Sequence, residues 1–171
     1  MDKATQKIMF SSENDSWETP QDFYDELTRR YNFTLDPCCT SATAKCNRYF
    51  TEDDDGLAQD WSGEVVFMNP PYGRVIGKWI QKAYMESRKE KTTVVCLIPA
   101  RTDTKYWHEY CMKASEIYFV KGRLKFGNSK NSAPFPSAVV VFRPGYTALM
   151  GGNFPKMFTM TTKGIKNEHL L

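Results

Sequence analysis

Apolar residues along this chain follow two patterns, which are short continuous runs and stripes at helical spacing. Residues 65–68 and 93–98 are continuous runs rich in β-branched side chains, typical of strands buried on both faces of a sheet. Apolar residues three or four positions apart predict helices over residues 20–31 and from residue 75 to about residue 88. Alternation of such strands and helices favours an α/β sheet with right-handed crossovers.

The last predicted strands follow a different pattern. Residues 117–120 and 123–126 alternate apolar and polar positions around Lys121-Gly122, and residues 138–142 form one more apolar run. The tight turn predicts that these strands are antiparallel. Between them, residues 127–137 are rich in Gly, Asn, Ser and Pro and are expected to form a flexible polar loop.

Length and composition fit one domain. The chain has 171 residues, of which 41% are hydrophobic and 25% charged, as in ordinary globular proteins. No apolar run approaches the roughly 18 residues of a membrane span and no signal-peptide pattern is seen, so we expect a cytoplasmic protein without a membrane partner. We divide the chain into a flexible arm (1–13), a domain (14–143) and a tail without periodicity (144–171).

The cysteines do not indicate a disulfide framework, because their number is odd and two of them are adjacent. Paired C-x-x-C spacing is absent and both histidines lie far from the adjacent pair in the sequence, so we expect no metal site. The five thiols, expected to be buried or in loops, are Cys38, Cys39, Cys46, Cys96 and Cys111.

The apolar run at 65–68 ends in Asn69-Pro70-Pro71-Tyr72, the most informative segment of the sequence. Both prolines fix φ at about −65° and lack an N–H group, so the backbone leaves the strand stiff and extended. Asn69 then offers an amide oxygen and nitrogen, Pro70 a carbonyl without a local partner, and Tyr72 a flat ring.

An exocyclic amine on a planar base fits these groups. The amine would donate hydrogen bonds to the Asn69 side chain and the Pro70 carbonyl while the base stacks on Tyr72. Holding both hydrogens turns the nitrogen lone pair out of conjugation and toward an electrophile, with no metal and no covalent intermediate. A plain turn after a strand is the alternative interpretation of the same residues.

Acidic residues follow two other predicted strands. Asp36-Pro37 closes a short strand that begins at Phe33, and a run of acids over residues 52–55 follows a strand at 47–51. At the carboxyl ends of parallel strands, an acid can bind the ammonium or hydroxyl groups of a ligand. Asp53 and Asp55 are the candidates in the second group, and a solvated turn is the alternative.

Asn69-Pro70-Pro71-Tyr72 resembles the Asp/Asn/Ser-Pro-Pro-Tyr/Phe/Trp motif of amino-methyltransferases that use S-adenosylmethionine. Residues 14–143 resemble the small phage-type Dam-family adenine-specific DNA methyltransferases. The resemblance implies a Rossmann-like methyltransferase fold, with a mostly parallel sheet, helices on both faces and an antiparallel C-terminal hairpin. It implies transfer of a methyl group from S-adenosylmethionine to the exocyclic N6 amine of adenine in DNA, after extrusion of the base. A phage-encoded protein would act in the host cytoplasm.

The resemblance also implies site residues. Asn69, Pro70, Pro71 and Tyr72 would form the catalytic group. Trp17 and Thr19 would lie over the cofactor, or else they only fix the start of a helix with Thr19 as N-cap. Trp61 would contact the cofactor adenine, or else it is a core residue. The expected cofactor-binding residues are Trp17, Thr19, Pro20, Asp36, Pro37, Asp53, Asp55, Asp60, Trp61 and Asn69.

Positive charge is concentrated in the second half, although the net charge is only +3. A basic face there would contact the phosphates of DNA. Loops around 101–105 and 127–137, or a second copy of the chain, would supply sequence specificity, so the protein is expected to be a monomer or homodimer. The candidate nucleic-acid-binding residues are Arg101, Lys105, Arg123, Lys125 and Lys130.

Two other functions fit the same sequence. The first is methylation of an RNA base or of a protein glutamine, because the Asn-Pro-Pro-Tyr motif also serves planar amides. The second is a catalytically silent nucleic-acid-binding module that keeps the fold. Intact Asn69, Asp36 and Tyr72 argue against the silent module.

Overall fold

A computed structural model describes residues 17–145 and 154–163. The described helices are Gln21–Thr28 (α1), Ile76–Ser87 (α2), Lys105–Glu109 (α3) and the 3-10 turn Cys111–Lys113. The described strands are Leu35–Asp36 (β1), Arg48–Tyr49 (β2), Val65–Met68 (β3), Thr93–Pro99 (β4), Glu116–Lys121 (β5), Ser137–Phe142 (β6) and Lys156–Thr161 (β7). The predicted arm over residues 1–13 lies outside the described residues.

The strands form one sheet in the order β2-β1-β3-β4-β6-β5-β7. Strand β6 runs antiparallel to both of its neighbours, and every other pairing is parallel. The predicted α/β class, with a mostly parallel sheet and an antiparallel part, is confirmed. Because β1, β3 and β4 are parallel, Asp36, Asn69 and Pro99 lie at or just beyond the same edge of the sheet.

The predicted hairpin between residues 117–120 and 123–126 is wrong in its second strand. Strand β5 pairs instead with β6, and residues 123–126 lie outside the sheet. Their alternation is real, since Leu124 and Phe126 are buried while the basic residues beside them are exposed. The alternation reflects a loop segment that has one side buried. This segment pairs with the rest of the loop, since the Leu124 carbonyl accepts a hydrogen bond from the Ala133 N–H at 2.8 Å.

Strand β7 belongs to the segment for which the sequence predicts only a tail. It pairs in parallel with β5 over six residues, at the edge of the sheet. Met160 is the one residue of β7 that is fully buried, so the segment lacks the apolar periodicity that identifies a strand in a sequence.

The sheet is covered by helices on both faces. Side chains of β3 alternate between two buried clusters: Phe67 packs with Phe23 and Leu27 of α1, whereas Val66 packs with Ile80 of α2. Strand β4 continues the same alternation and is buried over six of its seven residues. This explains the unbroken apolar runs, because strands covered on both faces have no solvent side.

Within residues 17–145 and 154–163, no helix has the length and apolar character needed to cross a membrane. No group of three or more His, Cys, Asp or Glu side chains in those ranges is arranged to hold a metal ion. All five cysteines are free thiols, two of them buried and three partly buried.

Candidate active site

The side chain of Asn69 has a fixed orientation. Its Nδ2 donates hydrogen bonds to the Trp17 carbonyl at 2.5 Å and to Thr19 Oγ1 at 2.8 Å. A carbonyl can only accept, so the amide nitrogen must be the atom that faces Trp17. The Oδ1 atom is thereby turned away, buried and without a hydrogen-bonding partner among the described residues. A buried acceptor without a donor is costly unless a ligand supplies one.

Thr19 does not cap the first helix, which corrects the sequence prediction. Helix α1 begins at Gln21, Pro20 occupies the N-cap position, and no side chain caps the helix. Thr19 is buried and its hydroxyl faces Asn69 instead. The Thr19 hydroxyl thus accepts a hydrogen bond from a residue 50 positions away, a contact that the local sequence cannot reveal.

The segment 17–19 is held in place by the loop 122–136. The Trp17 ring packs edge-on against Phe126 and Phe135, with ring centroids 5.6 and 5.1 Å away. The Gly127 N–H donates to the Glu18 carbonyl at 2.8 Å. The loop therefore supports the residues that orient Asn69.

A cavity of about 420 Å³ opens at the carboxyl edge of the sheet, beside Asn69. Its charged lining is mainly acidic, with four acids and one lysine. Of the predicted cofactor-binding residues, the structure brings Trp17, Thr19, Asp36, Pro37, Asp55 and Asn69 together in its wall, along with Pro70 and Pro71 of the predicted catalytic group. Pro20 and Asp53 do not line it.

Asp36 is the buried acid of this cavity, with 3% of its surface exposed. Burial raises its pKa, although N–H groups of Lys45 (3.0 Å) and Cys38 (3.4 Å) donate to the carboxylate. Two backbone donors leave its four acceptor positions incompletely used. The carboxylate is thus suited to a cationic or hydrogen-bond-donating ligand.

The loop after β2 supplies the second acidic wall. Glu52 and Asp55 line the cavity, whereas Asp54 is turned to its own loop and accepts from the N–H and hydroxyl of Thr51, both at 2.8 Å. Gly56 packs so closely that a β-carbon there would overlap the Pro37 carbonyl oxygen. The close approach keeps the two acidic segments side by side.

Asp60 and Trp61 do not line the cavity, although the resemblance implies a cofactor role for both. Asp60 is exposed and forms an ion pair with Lys89 at 2.6 Å. Trp61 is fully buried; its indole N–H donates to the Gly56 carbonyl and its backbone N–H to the buried Glu86 carboxylate, each at 3.0 Å. Core packing, the alternative for Trp61, is what the structure shows.

The Asn69–Gly73 segment separates this cavity from a second one. Tyr72 and Gly73 line a groove of about 590 Å³ that runs between α2 and α3. The Tyr72 hydroxyl donates to the Leu97 carbonyl at 3.3 Å, and its ring packs edge-on against Phe126 and Phe135. Burial raises the pKa of Tyr72, so the hydroxyl stays protonated.

The structure divides the predicted nucleic-acid-binding residues. Arg101 and Lys105 line the groove. Arg123, Lys125 and Lys130 are exposed on the loop 122–136 and line neither cavity.

Several residues of the site were not predicted. Val75 and Trp79 line the acidic cavity, and Arg74 and Lys78 line the groove. Their position directly after the Asn-Pro-Pro-Tyr segment is a usable signal, because the first turn of a helix that follows a strand lies over the edge of the sheet. The aromatic support from the loop 122–136 has no such signal, since it depends on a long-range contact.

A mostly parallel α/β sheet with an Asn-Pro-Pro-Tyr segment at the edge of an acidic cavity is the arrangement expected of an amino-methyltransferase. Comparison with protein families agrees with this class. The model of the family "DNA N-6-adenine-methyltransferase (Dam)" matches residues 6–162, and the chain belongs to that family.

Two phage proteins are among its relatives. The DNA N-6-adenine-methyltransferase of Haemophilus phage HP1 (strain HP1c1) is 28% identical over 142 residues, which cover 78% of this chain and 81% of that protein. The DNA N-6-adenine-methyltransferase of Escherichia phage T1 is 27% identical over 112 residues, which cover 64% of this chain and 46% of that protein. Similarity thus extends over most of the present chain.

Proposed function

We propose that this protein transfers the methyl group of S-adenosylmethionine to the exocyclic N6 amine of adenine in DNA, after the nucleotide is turned out of the duplex. The observation that carries the proposal is the buried Oδ1 atom of Asn69, which is aimed away from its two supports and accepts no hydrogen bond from a described residue. The family to which the chain belongs supports the same reaction.

Asn69 would hold the amine through its Oδ1, and the Pro70 carbonyl would accept the second hydrogen. Two acceptors on one amine favour a pyramidal nitrogen, whose lone pair no longer conjugates with the ring. A nitrogen–carbon bond would then form as the methyl carbon–sulfur bond breaks, the sulfur would keep that electron pair as a neutral thioether, and the amine would lose a proton to solvent. Because Trp17 and Thr19 already fix the amide, little reorganisation is needed at the moment of transfer.

The acidic cavity suits S-adenosylmethionine. When bound, this cofactor supplies an electrophilic methyl group on a positively charged sulfur. Asp36 would bind the ammonium group, and Asp55 or Glu52 the ribose hydroxyls, since both lie in the wall formed by the loop after β2. A volume of about 420 Å³ lies in the range of small-molecule sites. Apolar side chains such as Trp79, Leu57 and Val75 would cover the adenine ring of the cofactor.

We also infer that the sheet is a Rossmann-like methyltransferase fold. The parallel strands β1, β3 and β4, with helices on both faces and ligand-binding groups at their carboxyl ends, support this inference. Since β7 belongs to the same sheet, we propose that the catalytic domain includes residues 156–161 beyond the predicted boundary at residue 143. A monomer or a homodimer is compatible with this site.

The first test is transfer of a labelled methyl group from S-adenosylmethionine to adenine-rich duplex DNA, followed by nucleoside digestion. The variant Asn69→Ala should lose transfer while still binding the cofactor. Asn32→Ala, at an exposed position outside the site, is the matched control and should behave like wild type. N6-methyladenine made by wild type and control alone supports the proposal.

Parallel reactions with RNA and with a glutamine-containing peptide test the two alternative substrates. Transfer to RNA or peptide but not to DNA would overturn the proposed substrate while keeping the reaction. Failure to bind S-adenosylmethionine would overturn the reaction itself and favour the silent module.

A further inference from the structure

The two cavities on either side of the Asn69–Gly73 segment carry opposite charge. The cavity beside Asn69 is lined by Glu18, Asp36, Glu52 and Asp55 against a single lysine. The groove beside Tyr72 is lined by one acid, Glu109, and by four basic side chains. The basic side chains are Arg74, Lys78, Arg101 and Lys105. The net charge of the whole chain, +3, conceals this separation.

We propose that the groove between α2 and α3 binds the sugar-phosphate backbone of DNA next to the extruded nucleotide, with Arg74 and Lys78 as phosphate-binding residues. The proposal rests on the proposed function and names the surface that holds its substrate. Methyl transfer across Asn69–Tyr72 requires a cationic cofactor on one side and a polyanion close by. The charges of the two cavities match those two ligands.

The single acid of the groove does little to neutralise it. Glu109 lies 3.6 Å from Lys105, and their side chains are 46% and 85% exposed, so the pair is a weak surface contact. Arg74, Lys78 and Lys105 are exposed, so phosphates can reach all three. No acidic residue occupies the first turn of α2, where the helix dipole also favours an anion.

Tyr106 gives an independent indication of a ligand. Its ring lines the groove, and its buried hydroxyl has no hydrogen-bonding partner of ordinary geometry among the described residues. A phosphate or sugar oxygen in the groove would accept from this hydroxyl. Polar side chains that contact phosphates in this way position DNA without reading its sequence.

The test measures binding of a fluorescent 20-base-pair duplex of mixed sequence at several salt concentrations. In the double variant Arg74→Gln/Lys78→Gln, affinity should fall about tenfold or more, and the slope of log K against log salt should shrink by roughly two. The charge-conserving double variant Arg74→Lys/Lys78→Arg should keep the wild-type slope. S-adenosylmethionine should bind all variants equally.

The control double variant Arg88→Gln/Lys113→Gln removes the same charge elsewhere. Arg88 follows the last residue of α2, about 18 Å along the helix from its start. This variant should retain wild-type affinity and salt slope. Equal losses in both double variants would show an effect of net charge alone and would overturn the proposal, as would unchanged binding by the groove variant.

Tyr106→Phe removes one hydroxyl and should not unfold the protein, because the hydroxyl makes no hydrogen bond of ordinary geometry with a described residue. Its DNA affinity should fall several-fold, and wild-type affinity would contradict the role of this hydroxyl. The same experiments distinguish a wrong groove assignment from a wrong proposed function. Wild-type protein that methylates DNA while all groove variants bind normally refutes only the groove, whereas wild-type protein that transfers no methyl to DNA refutes the function.

Discussion

Thr19 Oγ1 lies 2.8 Å from Nδ2 of Asn69, and together with the Trp17 carbonyl it fixes the orientation of the amide. Thr19→Val keeps the shape and removes the acceptor, so the amide loses one of its two supports. We expect turnover to fall about 5- to 30-fold, equivalent to about 1–2 kcal/mol. The affinity for S-adenosylmethionine should change less than turnover, and Thr19→Ser should restore most of the rate.

A positioning role for Thr19 requires that turnover and cofactor affinity respond differently. Isothermal titration with the cofactor and initial rates at saturating cofactor separate them. Loss of affinity alone, with wild-type turnover at saturation, would mean that Thr19 only contacts the cofactor.

Phe135 supports Trp17 and Tyr72 at once, with ring centroids 5.1 and 5.5 Å away. Phe135→Leu should lower the free energy of unfolding by about 1–2 kcal/mol, because the substitution leaves space in a buried cluster. Turnover should fall further than the loss of folded protein explains. The substitution loosens Trp17, whose carbonyl orients Asn69, and also the ring of Tyr72.

Phe142→Leu is the matched control. Phe142 is buried in the opposite cluster and pairs with Val94 at the start of β4, away from the carboxyl edge. Chemical denaturation should give similar losses for the two variants, and rate measurements should separate them. If Phe142→Leu loses as much turnover, the loop contact has no special role.

Asp36 carries a pKa that burial raises above the ordinary aspartate value. A raised pKa in the folded state means that the protonated form stabilises the protein, and this contribution is lost as pH rises through the folded pKa. Asp36→Asn should therefore leave the free energy of unfolding at pH 7 unchanged or higher. It should weaken S-adenosylmethionine binding about tenfold or more, because the partner of the ammonium is lost.

The wild-type affinity for the cofactor should also weaken on acidification, starting above the pH range of an ordinary aspartate. Binding titrations between pH 5 and pH 8 on both proteins check this. Identical pH profiles for wild type and Asp36→Asn would contradict the assignment of Asp36.

Glu86 is a buried carboxylate that accepts from Lys82 at 2.5 Å, Lys89 at 2.7 Å and the Trp61 N–H at 3.0 Å. Although burial raises its pKa, these hydrogen bonds outweigh burial and the pKa lies below the ordinary glutamate value. Its contribution to stability is therefore present above the unfolded-state pKa and is lost as pH falls through the lower, folded-state pKa.

Glu86→Gln should lower the free energy of unfolding at pH 7 by about 1–3 kcal/mol and reduce its loss on acidification below about pH 4. Urea denaturation across that range provides the measurement. Glu90→Gln, at an exposed position just after α2, should have little effect, and a comparable loss there would point to general surface charge.

Gly56 lies against the Pro37 carbonyl, and a β-carbon would also come within 3.1 Å of the Trp79 ring. Gly56→Ala should displace the loop that carries Glu52 and Asp55 and weaken cofactor binding about tenfold or more, as loss of a preorganised wall predicts. Gly77→Ala is the control, because its β-carbon would meet only ordinary contacts at 3.8 Å from Tyr106. Equal cofactor affinities in the two variants would contradict the close approach.

The sequence by itself determined the central elements and the motif. The runs at 65–68 and 93–98 identified β3 and β4, because strands buried on both faces have no polar alternation. Asp36, Asn69 and the two prolines could be assigned to one edge, since parallel strands place their carboxyl ends together. These inferences depend on local backbone chemistry and on the sheet class alone.

Only the tertiary structure decided how the site is supported. Thr19 and Trp17 reach Asn69 through hydrogen bonds that span about 50 residues. Phe126, from a segment predicted as a strand, and Phe135, from the predicted polar loop, support Trp17. Trp61 is the opposite case, because the resemblance placed it at the cofactor and the structure buries it in the core. Contacts between distant segments depend on how the whole chain packs, and hydrophobic periodicity records only which side of a segment is buried.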